Sequence, residues 1–490
     1  MSGSDALLIR GGLPLRGDVR LGPDQAILET TLAVSALARG SSRLQAVEPS
    51  PQLLAAIAAW AQLGVRAELQ GDSLVVEGPG LDALSAPTGA IECGLSPRLL
   101  AQLAGVLCAQ RFGTQLRAAS ATPVGHWIEV LRARGAHIAA RGGGASHVGV
   151  SASHVGVSVS HGDADAPHGG PNAAHGGAAR GGGEGERLFP PIHVAPLLAS
   201  ERLLALDASL PFADAIGKDA ILLNALFASG PTVLSEPQVS SDHLERALVD
   251  VGLPLRRIGS VVSLDTPAWN RELAGLGAVR IPGSATQAAL LAALAQALPD
   301  SDITLRSVSV NPSQSGVLDL LRSWGAALTW NPVGDAGLRE PIADLRVRSA
   351  AVRGGVVDAD MLLRAGEAVP VLWLIGTQSR RGVRLCDLNV IEHQQPDLGW
   401  SMLDALFAAF GVSVDRRPNE LFVAPSALAA TEARRRWDAR ADPLMALMAC
   451  TLALATPGET VVEHALFALT SLYPGFLRAA QELGASIEYV

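Results

Sequence analysis

Three arginines, Arg98, Arg364 and Arg440, each stand close to the expected start of a helix. The free N–H groups of a helix N-terminus favour anions, and a guanidinium adds a charge-assisted fork matched to phosphate or carboxylate. The chemistry such positions could serve is the binding of small anions. A second constellation is histidine-rich: residues 147, 154, 161, 168 and 175 are all His, seven apart, within a low-complexity segment from about Gly142 to Glu186. Histidine tracts can bind metal, but the flanking Gly, Ser, Ala and Pro cannot build a core to fix a geometry. The heptapeptide ASHVGVS occurs twice in succession, at Ala145 to Ser151 and Ala152 to Ser158. The segment therefore reads as a surface loop grown by duplication, and no metal site is expected. Cys93, Cys108, Cys386 and Cys450 are scattered without CxxC spacing, so neither a thiolate metal site nor a disulfide framework is indicated.

Charge bounds the partners. A net charge of -9 argues against a nucleic-acid or membrane-surface binder, which would need a basic face, so any anionic ligand must be met by local cations. The longest apolar stretches, such as Asp442 to Ala455, end short of the ~20 residues a bilayer requires. The opening MSGSDALLIR carries no basic-then-apolar segment. Together with the unpaired cysteines this points to the cytosol, and a monomer is the expected state.

The elements that must position these residues repeat. Six times the end of an amphipathic helix is followed by glycine and a short alternating strand, at Gly64, Gly135, Gly252, Gly325, Gly411 and Gly484. Glycine suits that place because a left-handed residue closes the last turn. The intervals are 71, 117, 73, 86 and 73 residues, and the long one contains the low-complexity insert. Each unit also carries an earlier Ala/Leu-rich helix: Ala26 to Arg39, Pro97 to Gln110, Lys218 to Ser229, Ala285 to Ala297, Ala368 to Thr377 and Pro443 to Ala455. Helices apolar nearly all round are buried. The chain thus reads as an α/β protein of six βαβαβ-type units, and 490 residues imply two domains.

With the repeat in place, the chain resembles the 5-enolpyruvylshikimate-3-phosphate synthase (3-phosphoshikimate 1-carboxyvinyltransferase) family over nearly its whole length. The segments that carry the resemblance include Leu15 to Gly40, Ile91 to Leu107, Leu210 to Leu248, Ser309 to Ala326, the stretch after Glu367, and YPGFLRAAQELGA near the end. The resemblance implies a two-domain inside-out α/β barrel, the enolpyruvyl transferase fold, with three units per domain. One domain would hold residues 1–17 and 273–490, the other residues 18–272 with the insert 142–186, and hinges would lie near Gly17 and Leu273. It also implies transfer of the carboxyvinyl group of phosphoenolpyruvate to a hydroxyl of shikimate 3-phosphate, with release of phosphate and without metal or organic cofactor.

Carried over residue by residue, the site departs from the family's pattern. The run Asp-Lys-Ser-Ile-Ser-His-Arg corresponds to Asp24 through Thr30, with Gln25 in the lysine's place. The turn Asn-Ser-Gly-Thr corresponds to Leu95, Ser96, Pro97 and Arg98, keeping Ser96 and adding Arg98 as a new cation. The next arginine falls on Ala118, beside Arg117. Ser-Ala-Gln becomes Asp214, Ala215 and Ile216, while Lys218 and Ser240 remain. Glu367 takes the place of the catalytic aspartate, and Gln395 to Gly399 that of Lys-Glu-Ser-Asp-Arg. Asp-His-Arg becomes Asp442, Pro443 and Leu444. The resemblance therefore assigns Glu367 as the acid/base and Gln25, Ser96, Arg98, Arg117, Asp214, Lys218, Ser240 and Arg364 as substrate-binding candidates. Three readings stand beside one another: the family's own reaction, a ligand-binding or interaction protein that has lost the chemistry, and a transferase with another, less anionic acceptor.

Overall fold

The computed structural model describes residues 5–119, 122–142, 157–158, 188–394, 400–428, 430 and 434–490. In chain order the helices that bear on the site are α1 (Gln25–Leu37), α2 (Pro97–Leu107), α3 (Gly125–Ala133), α4 (Ala215–Ala225), α5 (His243–Asp250), α6 (Ala285–Ala297), α7 (Val371–Gln378) and α8 (Pro443–Ala455). All but α3 and α5 are the central helices of the six units. Every residue of α1 from Ile27 to Leu37 is buried, as is every residue of α8 from Met445 to Ala455. That accounts for sequences with no polar face. Their starts are set by side chains that accept a backbone N–H in the first turn: Asp24 from Ile27, Ser96 from Leu99, Asp214 from Ile216, Ser284 from Gln287 and Asp442 from Met445. Each such cap contributes about 1 kcal/mol. The third central helix starts at Ala215, before the expected Lys218, because Asp214 caps it there.

Among the described residues six sheets accompany the six units; five pair one parallel neighbour with two antiparallel ones, and the sheet containing Leu206–Ser209 adds a third antiparallel pairing. The strand Ala6–Gly11 lies antiparallel between Gly458–Glu463 and Ser486–Tyr489, so the chain's first strand completes its last unit. All six helix-ending glycines have positive φ, from 83° at Gly411 to 103° at Gly135.

Two apolar cores follow, one built from residues Leu7 to Leu21 with the C-terminal half, the other from residues between Leu28 and Ile281. The chain crosses between them later than the resemblance suggested. Strand Arg16–Arg20 pairs in parallel with Asp302–Ser309 of the C-terminal half, and strand Gly277–Arg280 pairs in parallel with Arg39–Gln45 of the other. The crossings therefore lie at residues 21–24 and 281–284 rather than at Gly17 and Leu273. There they brace each other, with Asp24 N–H donating to Pro282 O at 2.8 Å and Ser284 N–H to Gly22 O at 3.0 Å. Strand pairing moved both boundaries, since a strand belongs with its hydrogen-bonded partner whatever its place in the sequence.

A hairpin of the C-terminal domain, Ala327–Asp335 and Pro341–Arg348, reaches across. Its tip residue Leu338 is buried in the core of the N-terminal domain, and Arg280 N–H donates to Ala336 O at 3.1 Å. The insert lies outside the described residues, apart from Gly142 and the short strand Val157–Ser158, which pairs with Asp207 and Ala208. Among the described residues no helix is long and apolar enough to cross a membrane.

Candidate active site between the domains

The starts of α1, α2 and α4 in the N-terminal domain meet the start of α6 and the segment around Glu367 in the other. Asp24 joins the two sides. Its Oδ1 accepts from Ile27 N–H at 3.2 Å and its Oδ2 from Ala285 N–H at 3.3 Å, so one carboxylate caps two helices in two domains. Ala213, just before α4, packs within the apolar core of the C-terminal domain, which puts the start of α4 at the boundary too.

Between these helix starts lies a cluster of carboxylates around one guanidinium. Glu29 accepts from Ser96 Oγ at 2.7 Å, from Gln25 Nε2 at 3.3 Å and from Gln52 Nε2 at 3.4 Å. Arg98 forms a close ion pair with the buried Asp219, to which Gln102 Nε2 also donates at 3.4 Å. Glu367 is exposed to solvent, with enough protein around it to raise its pKa by desolvation. Tyr473 donates its hydroxyl to Glu367 Oε2 at 3.3 Å.

Desolvation dominates the electrostatics. It raises the pKa of Asp24, Glu29 and Asp219, against the opposing pull of His243 on Asp24, of the Ser96 hydroxyl on Glu29 and of Arg98 on Asp219. Glu367 is raised by loss of bulk water first and by the charge of Asp24 second, with Tyr473 and Arg98 opposing. For Arg98, burial works against the charge, and Asp219 and Glu29 more than restore it. A cleft lined this way holds neutral carboxyl groups readily, and a neutral carboxyl can donate a hydrogen bond as well as accept one.

Beside this cluster runs a second network. Lys218 Nζ lies 3.0 Å from Glu236 Oε2 and 2.7 Å from Glu245 Oε1, and these two carboxylates hold its pKa up against burial. Ser240 Oγ donates to Glu236 Oε2 at 3.0 Å, and Asp214 N–H to Glu236 Oε1 at 2.8 Å.

Of the residues singled out by resemblance, Gln25, Ser96, Arg98 and Glu367 gather around the first cluster, and Asp214, Lys218 and Ser240 in the second network. Arg117 and Arg364 stand apart. Arg117 is 54% exposed on the strand Thr114–Arg117 and bonds Gln115 and Glu92. Arg364 is tied to Pro312 O and Asp319 within the C-terminal domain. Arg440 sits exposed in a turn before α8, with φ of 53°. Residues Gln395 to Gly399 lie outside the described residues. Sequence reasoning missed Asp219, Tyr473 and His126, whose partners are 121, 106 and 88 positions away.

The comparisons with known proteins fit this arrangement. A family profile described as EPSP synthase (3-phosphoshikimate 1-carboxyvinyltransferase) matches residues 9–162 and 182–369. The chain belongs to the EPSP synthase family. The gap in the family match falls inside the low-complexity insert. Among curated family members, the 3-phosphoshikimate 1-carboxyvinyltransferase of an Anaeromyxobacter species is 30% identical over 97% of both chains. That of Acidithiobacillus ferrooxidans is 28% identical over 98% of both. Among solved structures, EPSP synthase from Acinetobacter baumannii superposes with a TM-score of 0.76 over 99% of both chains at 21% identity. The enolpyruvyl transferase NikO from Streptomyces tendae gives 0.67 over 100% of this chain and 99% of its own at 17% identity. Both structures share the enolpyruvyl transferase fold, which is the fold of this chain.

Proposed function

We propose that this EPSP synthase family member transfers the carboxyvinyl group of phosphoenolpyruvate to a hydroxyl of shikimate 3-phosphate, releasing phosphate. The observation that carries the reading is Glu367, a carboxyl group between the domains, held by Tyr473, with its pKa raised by desolvation and the charge of Asp24. A neutral carboxyl there has a proton to give to the vinyl carbon and becomes the base that later takes it back. Arg98, whose charge opposes the rise in the Glu367 pKa, supplies an anion contact once it releases Asp219. The scarcity of cations leaves the backbone N–H groups of the helix starts as the other source of positive potential for phosphate or carboxylate oxygens.

The test is phosphate release from shikimate 3-phosphate and phosphoenolpyruvate by the purified protein, with Glu367→Gln as control. Turnover that the substitution abolishes is the expected result; no release by the unaltered protein refutes the reading. One observation favours a ligand-binding role instead: Arg98 and Lys218 are both already paired with the chain's own carboxylates. Saturable phosphoenolpyruvate binding without turnover would decide for it.

A further inference from the structure

We propose that His126, oriented by Asp214, takes the proton of the acceptor hydroxyl during carboxyvinyl transfer. The proposal rests on the reaction assigned above and adds a base that no resemblance supplied. His126 is the second residue of α3, and its Nε2 lies 2.5 Å from Asp214 Oδ2. Asp214 caps α4, its Oδ1 accepting from Ile216 N–H at 3.1 Å. Burial opposes ionisation of this carboxyl, but His126 and the amides of Gly217 and Ile216 outweigh it and hold the pKa low. Its pKa is therefore shifted opposite to those of Asp24, Glu29 and Asp219, which burial raises.

The surroundings fit a fixed dyad. The Phe212 ring lies 4.7 Å from the His126 ring at 52°, a tilted aromatic contact that restrains the imidazole. Residue 217 is glycine where any Cβ would come within 2.1 Å of Asp214 Oδ2 and 3.0 Å of Trp127. The missing side chain is what lets the carboxylate reach the ring. Ala213, next to Asp214, packs into the core of the other domain, which puts the dyad beside the boundary between the domains.

A carboxylate accepting from Nε2–H fixes the tautomer and leaves the lone pair on Nδ1. Nδ1 takes the hydroxyl proton as the acceptor oxygen bonds to C2 of phosphoenolpyruvate, and the Glu367 proton goes to C3 as the double bond is consumed. In the return step C3 gives its proton back to Glu367, the C2–O bond to phosphate breaks, and the imidazolium proton leaves with the phosphate. Atoms and charges balance with no further reactant.

The experiment measures phosphate release from the same two substrates by the full chain. We expect His126→Gln to lower kcat by about 10²- to 10⁴-fold with KM for both substrates little changed, and Asp214→Asn to lower it by at least about tenfold. Added imidazole should restore turnover to His126→Gly in a saturable way. A His126→Gln variant within about threefold of the unaltered kcat overturns the proposal. So does a His126→Gly variant that melts at the unaltered temperature yet gains nothing from imidazole, since a structural role predicts that result. Phosphate release by the unaltered chain separates these outcomes from failure of the assigned reaction, which would remove this proposal with it.

Discussion

His243 offers the sharpest test of how the domains are held together. It begins α5 in the N-terminal domain, and its Nδ1 lies 2.7 Å from Glu340 Oε1 at the tip of the hairpin from the other domain, with both side chains at most 2% exposed. Asn311 bridges the pair's surroundings, donating to Glu340 Oε2 at 3.1 Å and Asp242 Oδ1 at 2.9 Å. Burial alone would discharge the ring, but Glu340, and behind it Asp24, hold the pKa up to about 9 from 6.5, against a smaller opposing effect of Arg98. At about 1.4 kcal/mol for each tenfold change in proton affinity, the protonated ring carries ~3 kcal/mol of stability. Because the folded pKa lies above the unfolded one, that contribution is complete below about pH 6.5 and drains away as pH rises through about 9.

The measurement is urea unfolding of the unaltered chain and of His243→Gln at intervals from pH 6 to pH 10. The difference between the two curves isolates this histidine from the other charged groups around it, Asp24, Asp242, Arg98 and Arg246, which are present in both proteins. The unaltered chain should lose ~3 kcal/mol relative to the variant between the two ends. Glu340→Gln should remove most of that pH dependence as well. Curves that stay parallel across the range would show that His243 is neutral when folded, and the charged clasp would be wrong.

Three further outcomes follow from the same geometry. Arg98→Met leaves the buried Asp219 with Gln102 as its side-chain hydrogen-bond donor, and should cost about 3–5 kcal/mol, with Asp219→Asn in the same chain restoring part of the melting temperature. Gly105→Ala puts a Cβ 2.1 Å from Ala220 O, where α2 crosses α4, and should cost about 1–3 kcal/mol in denaturant unfolding. The KM for phosphoenolpyruvate should rise with pH, because the raised pKa values of Glu29 and Glu367 mean that added alkali puts more negative charge into the cleft; a KM that falls with pH contradicts the proton held on Glu367.

Much of the scaffold could be read from residue types because the repeat writes the same local instruction six times. Gly64, Gly135, Gly252, Gly325, Gly411 and Gly484 all adopt the left-handed conformation their place demanded. α6 and α8 begin and end where the Ala/Leu-rich runs do. The crossings were misplaced because residues 18–20 and 274–280 carry no local signal of which sheet they join; that is decided by partners hundreds of residues away. The site was legible only in part for a related reason. A missing lysine or arginine is visible in a sequence, whereas the carboxylate that has come to sit against the remaining cation is not. Nothing about Asp219 or His126 singles it out until α2, α3 and α4 are packed side by side.

That packing explains how one chain can keep the fold of an anion-binding family while replacing its cations. Helix N-termini converge on the cleft whatever residues cap them, because the six-unit architecture sets their direction, and their N–H groups bring positive potential with them. Asp24, Asp214 and Asp442 place carboxylates at three of those starts. Such a carboxylate either stays ionised and neutralises the helix, as Asp214 does beside His126, or is forced towards the neutral form by burial, as Asp24 is. Only the second kind leaves the helix potential free for a ligand. Asp24→Asn keeps a single accepting oxygen and so can cap α1 or α6 but not both, whereas Asp24→Ala uncaps the two together; stability to denaturant should fall in the order unaltered chain, Asn, Ala, and an Asn variant as stable as the unaltered chain would refute the double cap.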